Sequence, residues 1–126
     1  GASSGKYYAE FKFVSGSYCN IGVTDTDDAM KVGDNYTGVS GSLYSIGHDQ
    51  TNSYYINGST IANGSTFTTG DIISIALDMD NGKVHFAKNG VWELSSDPVN
   101  NTGGLSLPST GIYHFAHGNY SSSSQL

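Results

Sequence analysis

The sequence predicts an all-β domain, and three observations carry that reading. Apolar and polar residues alternate in short runs of roughly four to eight residues, as half-buried strands require. Asn-Gly dipeptides at Asn57-Gly58, Asn81-Gly82 and Asn89-Gly90 punctuate those runs, and Asn-Gly between alternating segments is a hairpin signal because both turn positions need positive φ. No stretch shows a convincing helical period. Many short strands with regular turns describe a sandwich or a barrel, and 126 residues supply one core, so residues 1–126 read as a single domain.

The elements follow in order. Tyr7, Ala9, Phe11 and Phe13 alternate against Lys6, Tyr8, Glu10 and Lys12, giving a first strand with one buried face, turned by Ser15-Gly16-Ser17. Cys19, Ile21 and Val23 alternate in a second strand, where the lone cysteine reads as a small hydrophobe. Asp25 to Ser42 has few apolar residues and is expected to be one long loop, with a helical turn near Asp27 to Lys31. Leu43–Ile46 and Ser53–Ile56 are expected strands flanking a loop over Gly47 to Asn52. Asn57-Gly58 then returns the chain through Thr60 and Ile61, and Phe67 to Gly70 leads into the most informative segment, Gly70 to Trp92.

A two-residue turn at Asn81-Gly82 sets Asp80 opposite Lys83, Met79 opposite Val84, Asp78 opposite His85, Leu77 opposite Phe86 and Ala76 opposite Ala87. Ile73, Ile75, Leu77, Met79, Val84 and Phe86 then share one face, and charges pair across the other. A tight Asn89-Gly90 turn projects Trp92 beside Ala87. Leu94 to Ser109 is rich in turn signals, and Gly111 to Gly118 is the last clear strand.

Gly-Asp, an alternating apolar strand, Leu-Asp, Asn-Gly, then Phe and a second Asn-Gly within residues 70–90 resemble the SPRY domain signature. Gly5-Lys6-Tyr7-Tyr8-Ala9-Glu10 resembles the opening strand of that family, and Ile21-Gly22-Val23 its second strand. Lys88-Asn89-Gly90-Val91-Trp92 followed by Ser96-Asp97-Pro98 is similar to the SPRY-like domains of tailed-phage virion proteins. The resemblance spans nearly the whole chain. It implies a two-sheet antiparallel, concanavalin A-like jelly-roll sandwich that binds partners through loops without catalysis. The chain opens Gly1-Ala2-Ser3-Ser4 and closes Ser-Ser-Ser-Ser-Gln-Leu, and is expected to be part of a longer polypeptide.

Composition narrows the partners. Charged residues are 13% of the chain, against roughly 25% in typical globular proteins. The formal net charge is −6 and no Lys or Arg cluster exists, which argues against nucleic acid. No apolar run approaches the ~20 residues of a membrane span, so no membrane insertion is expected. Five Asn-x-Ser/Thr sequons, at Asn35, Asn57, Asn63, Asn100 and Asn119, arise readily from this Asn-, Ser- and Thr-rich composition.

Chemistry is sparse. Asp78 to Gly82 lacks the sixth-position Gly and twelfth-position Glu of an EF-hand. Asp25, Asp27 and Asp28 form the better cation candidate, weighed against a solvated turn. His114 and His117, three apart on a strand, face opposite ways and cannot chelate one ion, and His85 is expected to pair with Asp78. Neither a metal nor another cofactor is implied. The only glutamates are Glu10 and Glu93, and they make no paired carboxylate arrangement for glycoside hydrolysis.

Nine tyrosines and one tryptophan exceed the needs of this core, and exposed aromatics among Asn, Asp and Ser suit contact with glycans or protein loops. The candidate binding residues are Tyr36, His48, Asp49, Asn52, Tyr54 and Trp92; one of the adjacent Tyr54 and Tyr55 must face outward. The expected function is a non-enzymatic binding or structural module on a virion surface. Loops 25–42, 47–52 and 94–109 would contact host glycan or other virion proteins in a larger assembly. The alternative is an intracellular SPRY-type adaptor holding a short peptide; a remote third is a lectin-like glycoside hydrolase.

Overall fold

A computed structural model describes residues 1–16, 19–25 and 44–119. Among the described residues the chain forms β1 (Lys6–Lys12), β2 (Cys19–Asp25), β3 (Ser45–Asp49), β4 (Ser53–Ile56), β5 (Ser59–Asn63), β6 (Ile72–Asp78), β7 (Lys83–Lys88), β8 (Val91–Trp92), β9 (Leu105–Ser106) and β10 (Tyr113–Asn119). One antiparallel sheet runs β1-β6-β7-β8, with β9 also pairing β7; the other runs β10-β2-β3-β4-β5. The predicted all-β sandwich is the observed one. Its core lies between the sheets, where Phe13, Ile21, Val23, Ile46, Tyr54, Phe67, Ile73, Ile75, Val84 and Phe86 are at most 2% exposed. Each such side chain stabilises the fold by about 1.5–3 kcal/mol when removed from water. Cys19 packs among them, and burial pushes its thiol up to about 11.

Local turn chemistry sets most of the register. Asn57 and Gly58 have φ of 50° and 74°, and Asn89 and Gly90 have 49° and 82°, the signs that a two-residue type I′ turn demands. The second places Trp92 opposite Ala87 as expected. Asn81-Gly82 behaves differently. Asp78 faces Lys83, Leu77 faces Val84, Ala76 faces His85 and Ile75 faces Phe86, so the loop holds four residues, Met79 to Gly82. The cause is Asp78, whose carboxylate accepts from Asn81 N at 3.0 Å and Asn81 Nδ2 at 2.9 Å and closes an Asx-type turn. Only Gly82 keeps a positive φ there, 63°. The shift is by two residues, so every side chain keeps its predicted face, but His85 loses its expected partner and is buried opposite Ala76.

Two further expectations change. β3 extends through Asp49, so the expected loop from Gly47 shortens to Gln50–Asn52 and His48 becomes a strand residue. The inward column of β1 is closed at one end alone: Phe13 is fully buried, Phe11 and Ala9 are half-buried, and Tyr7 is 46% exposed. Asp25 ends β2 instead of joining an irregular loop. It is buried, and its carboxylate accepts from the Ser109 hydroxyl. Asp27, Asp28, Tyr36 and the expected helical turn lie outside the described residues. Leu94 to Ser109, expected as turns throughout, also holds β9 and an Asp97–Thr102 bridge.

Candidate loop platform at one end of the sandwich

β3 ends and β4 begins at the end of the sandwich where β5 hands over to β6 and β7 turns into β8, so residues 49–52, 64–71 and 88–92 meet there. Asp49 organises the first loop with its own carboxylate. Oδ1 accepts from Thr51 N at 3.0 Å and Ser53 N at 2.7 Å, and Oδ2 accepts from Thr51 Oγ1 at 2.9 Å. Asn52 is held at φ 110°, an unusual backbone angle for a residue with a side chain.

The three segments are then tied together. Gly64 N donates to Asn52 O at 2.7 Å and Phe67 N to Gln50 O at 3.2 Å. Lys88 Nζ donates to Thr66 O at 2.7 Å and lies 3.4 Å from Asp71. Asn89 Nδ2 donates to Asp71 Oδ1 at 2.8 Å, while Thr68 N donates to Asp71 Oδ2 at 2.8 Å. The Asn89 amide, the Thr68 N–H and Lys88 together hold the Asp71 carboxyl below its ordinary value.

Beneath the loops lies a buried polar cluster. The Tyr54 hydroxyl donates to Glu93 Oε2, and Ser65 N donates to Glu93 Oε1 at 2.9 Å. His48 stacks on Tyr54 with ring centroids 4.1 Å apart, and Phe86 stands 5.0 Å from the Tyr54 ring. His48 Nε2 lies 3.2 Å from Ser65 O, an acceptor, which assigns the proton to Nε2. A β-carbon on Gly64 would sit 2.7 Å from Tyr54 Cε2, so glycine is what lets the segment close over the cluster.

His48, Tyr54 and Glu93 resemble an acid-base set in composition only. His48 and Tyr54 are fully buried and Glu93 is 9% exposed, so no substrate atom can reach them. Burial drives the Tyr54 phenol up, with Glu93 adding to it, and burial drives the His48 imidazole down against the opposing pull of Glu93.

The sequence-predicted residues therefore divide. Asp49, Asn52 and Trp92 are half-buried residues of the platform and its flank. His48 and Tyr54 are corrected from surface contacts to foundations, because strand alternation turns both into the core; Tyr55 is the outward member of its pair. Glu93 was missed as a site residue. The signal for it was a lone carboxylate in the apolar run Val91-Trp92-Glu93-Leu94, since a buried acid must find donors.

The two buried imidazoles make stability pH-dependent. His85 is pushed down by burial and then by Lys83, in the same direction as His48. The unfolded chain therefore binds more protons than the folded one below the ordinary imidazole value near 6.5, and stability falls as pH drops through that value. The urea midpoint is expected to decline between pH 7.5 and 5.5, corresponding to about 1–2 kcal/mol. The carboxyls of Asp71, Asp78 and Asp97 lie below their ordinary value, so their contribution is lost only below about pH 4. A flat profile between pH 7.5 and 5.5 refutes the assignment.

Comparison with known proteins fits this architecture. A Drosophila melanogaster protein described as a Ran-binding proteins 9/10 homolog is 32% identical over 93 residues, which is 71% of this chain and 9% of that protein. This chain thus spans less than a tenth of that relative. The crystal structure of the SPRY domain of human HERC1 superposes with a TM-score of 0.72 at 21% identity, over 98% of this chain and 71% of that one, which shows the shared fold. Both are animal proteins, and neither supports the expected kinship with phage virion proteins. The family model described as SPRY domain matches residues 6–102, from the first strand through the Asp97–Thr102 bridge, and the chain belongs to the SPRY domain family of protein-interaction modules.

Proposed function

We propose that this domain is a non-enzymatic adaptor that holds a short segment of a protein partner on the platform of residues 49–52, 64–71 and 88–92. The observation that carries the reading is the set of cross-loop bonds, Gly64 to Asn52, Phe67 to Gln50 and Lys88 to Thr66. They pre-pay the ordering that a binding surface otherwise loses on association. Asp49 and Asp71 spend their carboxylates inside the loops, so the platform offers backbone groups, amides and the Trp92 ring more than charge. The Drosophila relative is named for binding Ran, which favours a protein ligand over a glycan.

The test is selection of random peptides against the purified domain, with a glycan array run in parallel. Trp92→Ala is expected to weaken selected peptides about tenfold, as loss of an aromatic anchor does, with the melting temperature nearly unchanged. Peptides that bind Trp92→Ala and Asn52→Ala as well as they bind the parent would sink the platform; binding to glycans alone would return the carbohydrate reading.

A further inference from the structure

The outward side of β1 is a surface distinct from the loop platform, which it adjoins only at its Phe13 end, where that residue bonds to Gly70 and Asp71. Among the described residues β1 is the outermost strand of its sheet. Phe13 N donates to Asp71 O at 2.9 Å, Gly70 N to Phe13 O at 2.8 Å and Met79 N to Gly5 O at 2.9 Å, so the odd-numbered residues spend their backbone groups on the β6 side. Antiparallel alternation then aims the N–H and C=O of Lys6, Tyr8, Glu10 and Lys12 outward, a row that among the described residues meets no other strand and offers a place for one more.

Beside this row the N-terminal segment is tied to β10 by Ala2 N to Tyr113 O and Tyr113 N to Ala2 O, both at 2.8 Å, and a gap remains between it and β1. A cavity of about 360 Å³ opens between β1 and β10, the edge strand of the other sheet, lined by Tyr7, Leu77, Tyr113, His114 and Phe115 with the N-terminal residues. Tyr7 faces it from the inward side of β1 while remaining 46% exposed. We propose that an extended segment of a protein partner adds to β1 as an antiparallel strand and seats one bulky apolar side chain in this cavity.

The charges of β1 specify the segment. Its outer face reads Lys6, Tyr8, Glu10, Lys12, with Lys6 Nζ 3.4 Å from Asp78 Oδ2 and the Tyr8 hydroxyl donating to Glu10 Oε1 at 2.7 Å, so an antiparallel strand adds to these contacts when it carries an acid opposite Lys12, a base opposite Glu10 and an acid opposite Lys6. The bulky apolar residue stands opposite Tyr7, one position before the last acid. A second copy of this chain fits less well. Aligned to pair Lys6 with Glu10, it sets Ala9 opposite Tyr7, leaving the cavity unfilled and Lys12 without an acid.

The probe is the synthetic peptide Asp-Val-Arg-Val-Thr-Leu-Glu, flanked by Gly-Ser and labelled at one end, titrated into the purified domain by fluorescence anisotropy and by amide NMR. Saturable binding is expected, with shifted and exchange-protected amides at residues 6, 8, 10 and 12. Tyr8→Pro removes an outward N–H without touching a bond to β6, and is expected to weaken binding about tenfold. Glu10→Lys is expected to weaken it about fivefold, and a peptide with Glu in place of Arg restores it. Three results overturn the proposal: no binding to a folded domain, perturbation confined to the platform amides of residues 49–52 and 88–92, or dimerisation of the domain alone that Tyr8→Pro abolishes.

Discussion

Glu93→Ala is expected to lower the unfolding free energy by about 3 kcal/mol, because it strands the buried Tyr54 hydroxyl and takes the acceptor from the part-buried Ser65 N–H. The Tyr54 hydroxyl and Ser65 N–H both end on this carboxylate, and Tyr54 is fully buried, so water cannot readily replace the lost acceptor. For a domain of this length the change corresponds to a fall in melting temperature of about 12 °C. Glu93→Gln keeps an acceptor in place and is expected to cost only about 1 kcal/mol. Tyr54→Phe removes the donor with its acceptor still bonded to Ser65, and in a double-mutant cycle with Glu93→Gln it isolates the coupling between the two side chains. Hydrogen exchange separates a local from a global effect. Glu93→Ala should speed exchange at Ser65 and Gly64 more than in β6 and β7, and equal acceleration everywhere would show that Glu93 supports the fold without specifically supporting the platform.

That prediction rests on a contact which the sequence hides. Tyr54 and Glu93 are 39 residues apart, the first on β4 of one sheet and the second just past β8 of the other, so no local pattern joins them. What is local was legible. Asn57-Gly58 and Asn89-Gly90 carry the positive φ values that their turn type requires, and the second fixes Trp92 against Ala87 from six residues of sequence. Asn81-Gly82 has the same dipeptide and a different turn, because the side chain of Asp78 competes for Asn81 and lengthens the loop. Face assignments survived that error since parity, and not register, decides which side chains meet the core. His48 failed for the opposite reason. Gly47-His48-Asp49-Gln50 is polar enough to read as a loop, yet Ile46 and His48 are two apart on one strand and share the inward face, where an imidazole stacked on Tyr54 takes the place of an aliphatic residue.

Two of the expected contact residues turn inward, and the acidic residues near the platform, Asp49 and Asp71, are engaged in their own turns. A surface that spends its charge internally recognises shape and backbone more than counter-charge, which suits a peptide in a fixed conformation. The β1 edge is the contrasting case: Lys6, Glu10 and Lys12 are exposed on it, Lys6 beside Asp78 and Glu10 bonded to Tyr8, and its outward backbone groups face no other strand among the described residues. The two surfaces therefore predict different salt responses: peptide binding at β1 should weaken as ionic strength rises, and binding at the platform should change little.

Gly22→Ala is expected to cost about 4 kcal/mol or more, enough to threaten folding, although it adds a single methyl group. Gly22 lies in β2 between β10 and β3, opposite Ala116 on one side and Gly47 on the other. A β-carbon there would overlap the Ile46 carbonyl oxygen and stand 2.8 Å from the Ile46 carbonyl carbon and 2.9 Å from Gly47 Cα. All three are backbone atoms of β3, so no rotamer change relieves the overlap. β3 would have to move away from β2, carrying Ile46 out of its fully buried position and His48 off Tyr54, which would loosen the Gln50–Asn52 loop at the end of the same strand. Gly90→Ala is the control. Nothing lies within 4 Å of its added carbon, and only its φ of +82° opposes the change, so about 1 kcal/mol is expected. Urea denaturation of both variants decides the matter: equal costs would mean that backbone conformation alone explains these glycines, whereas a gap of several-fold ties Gly22 to the close approach of β2 and β3 on which the platform is built.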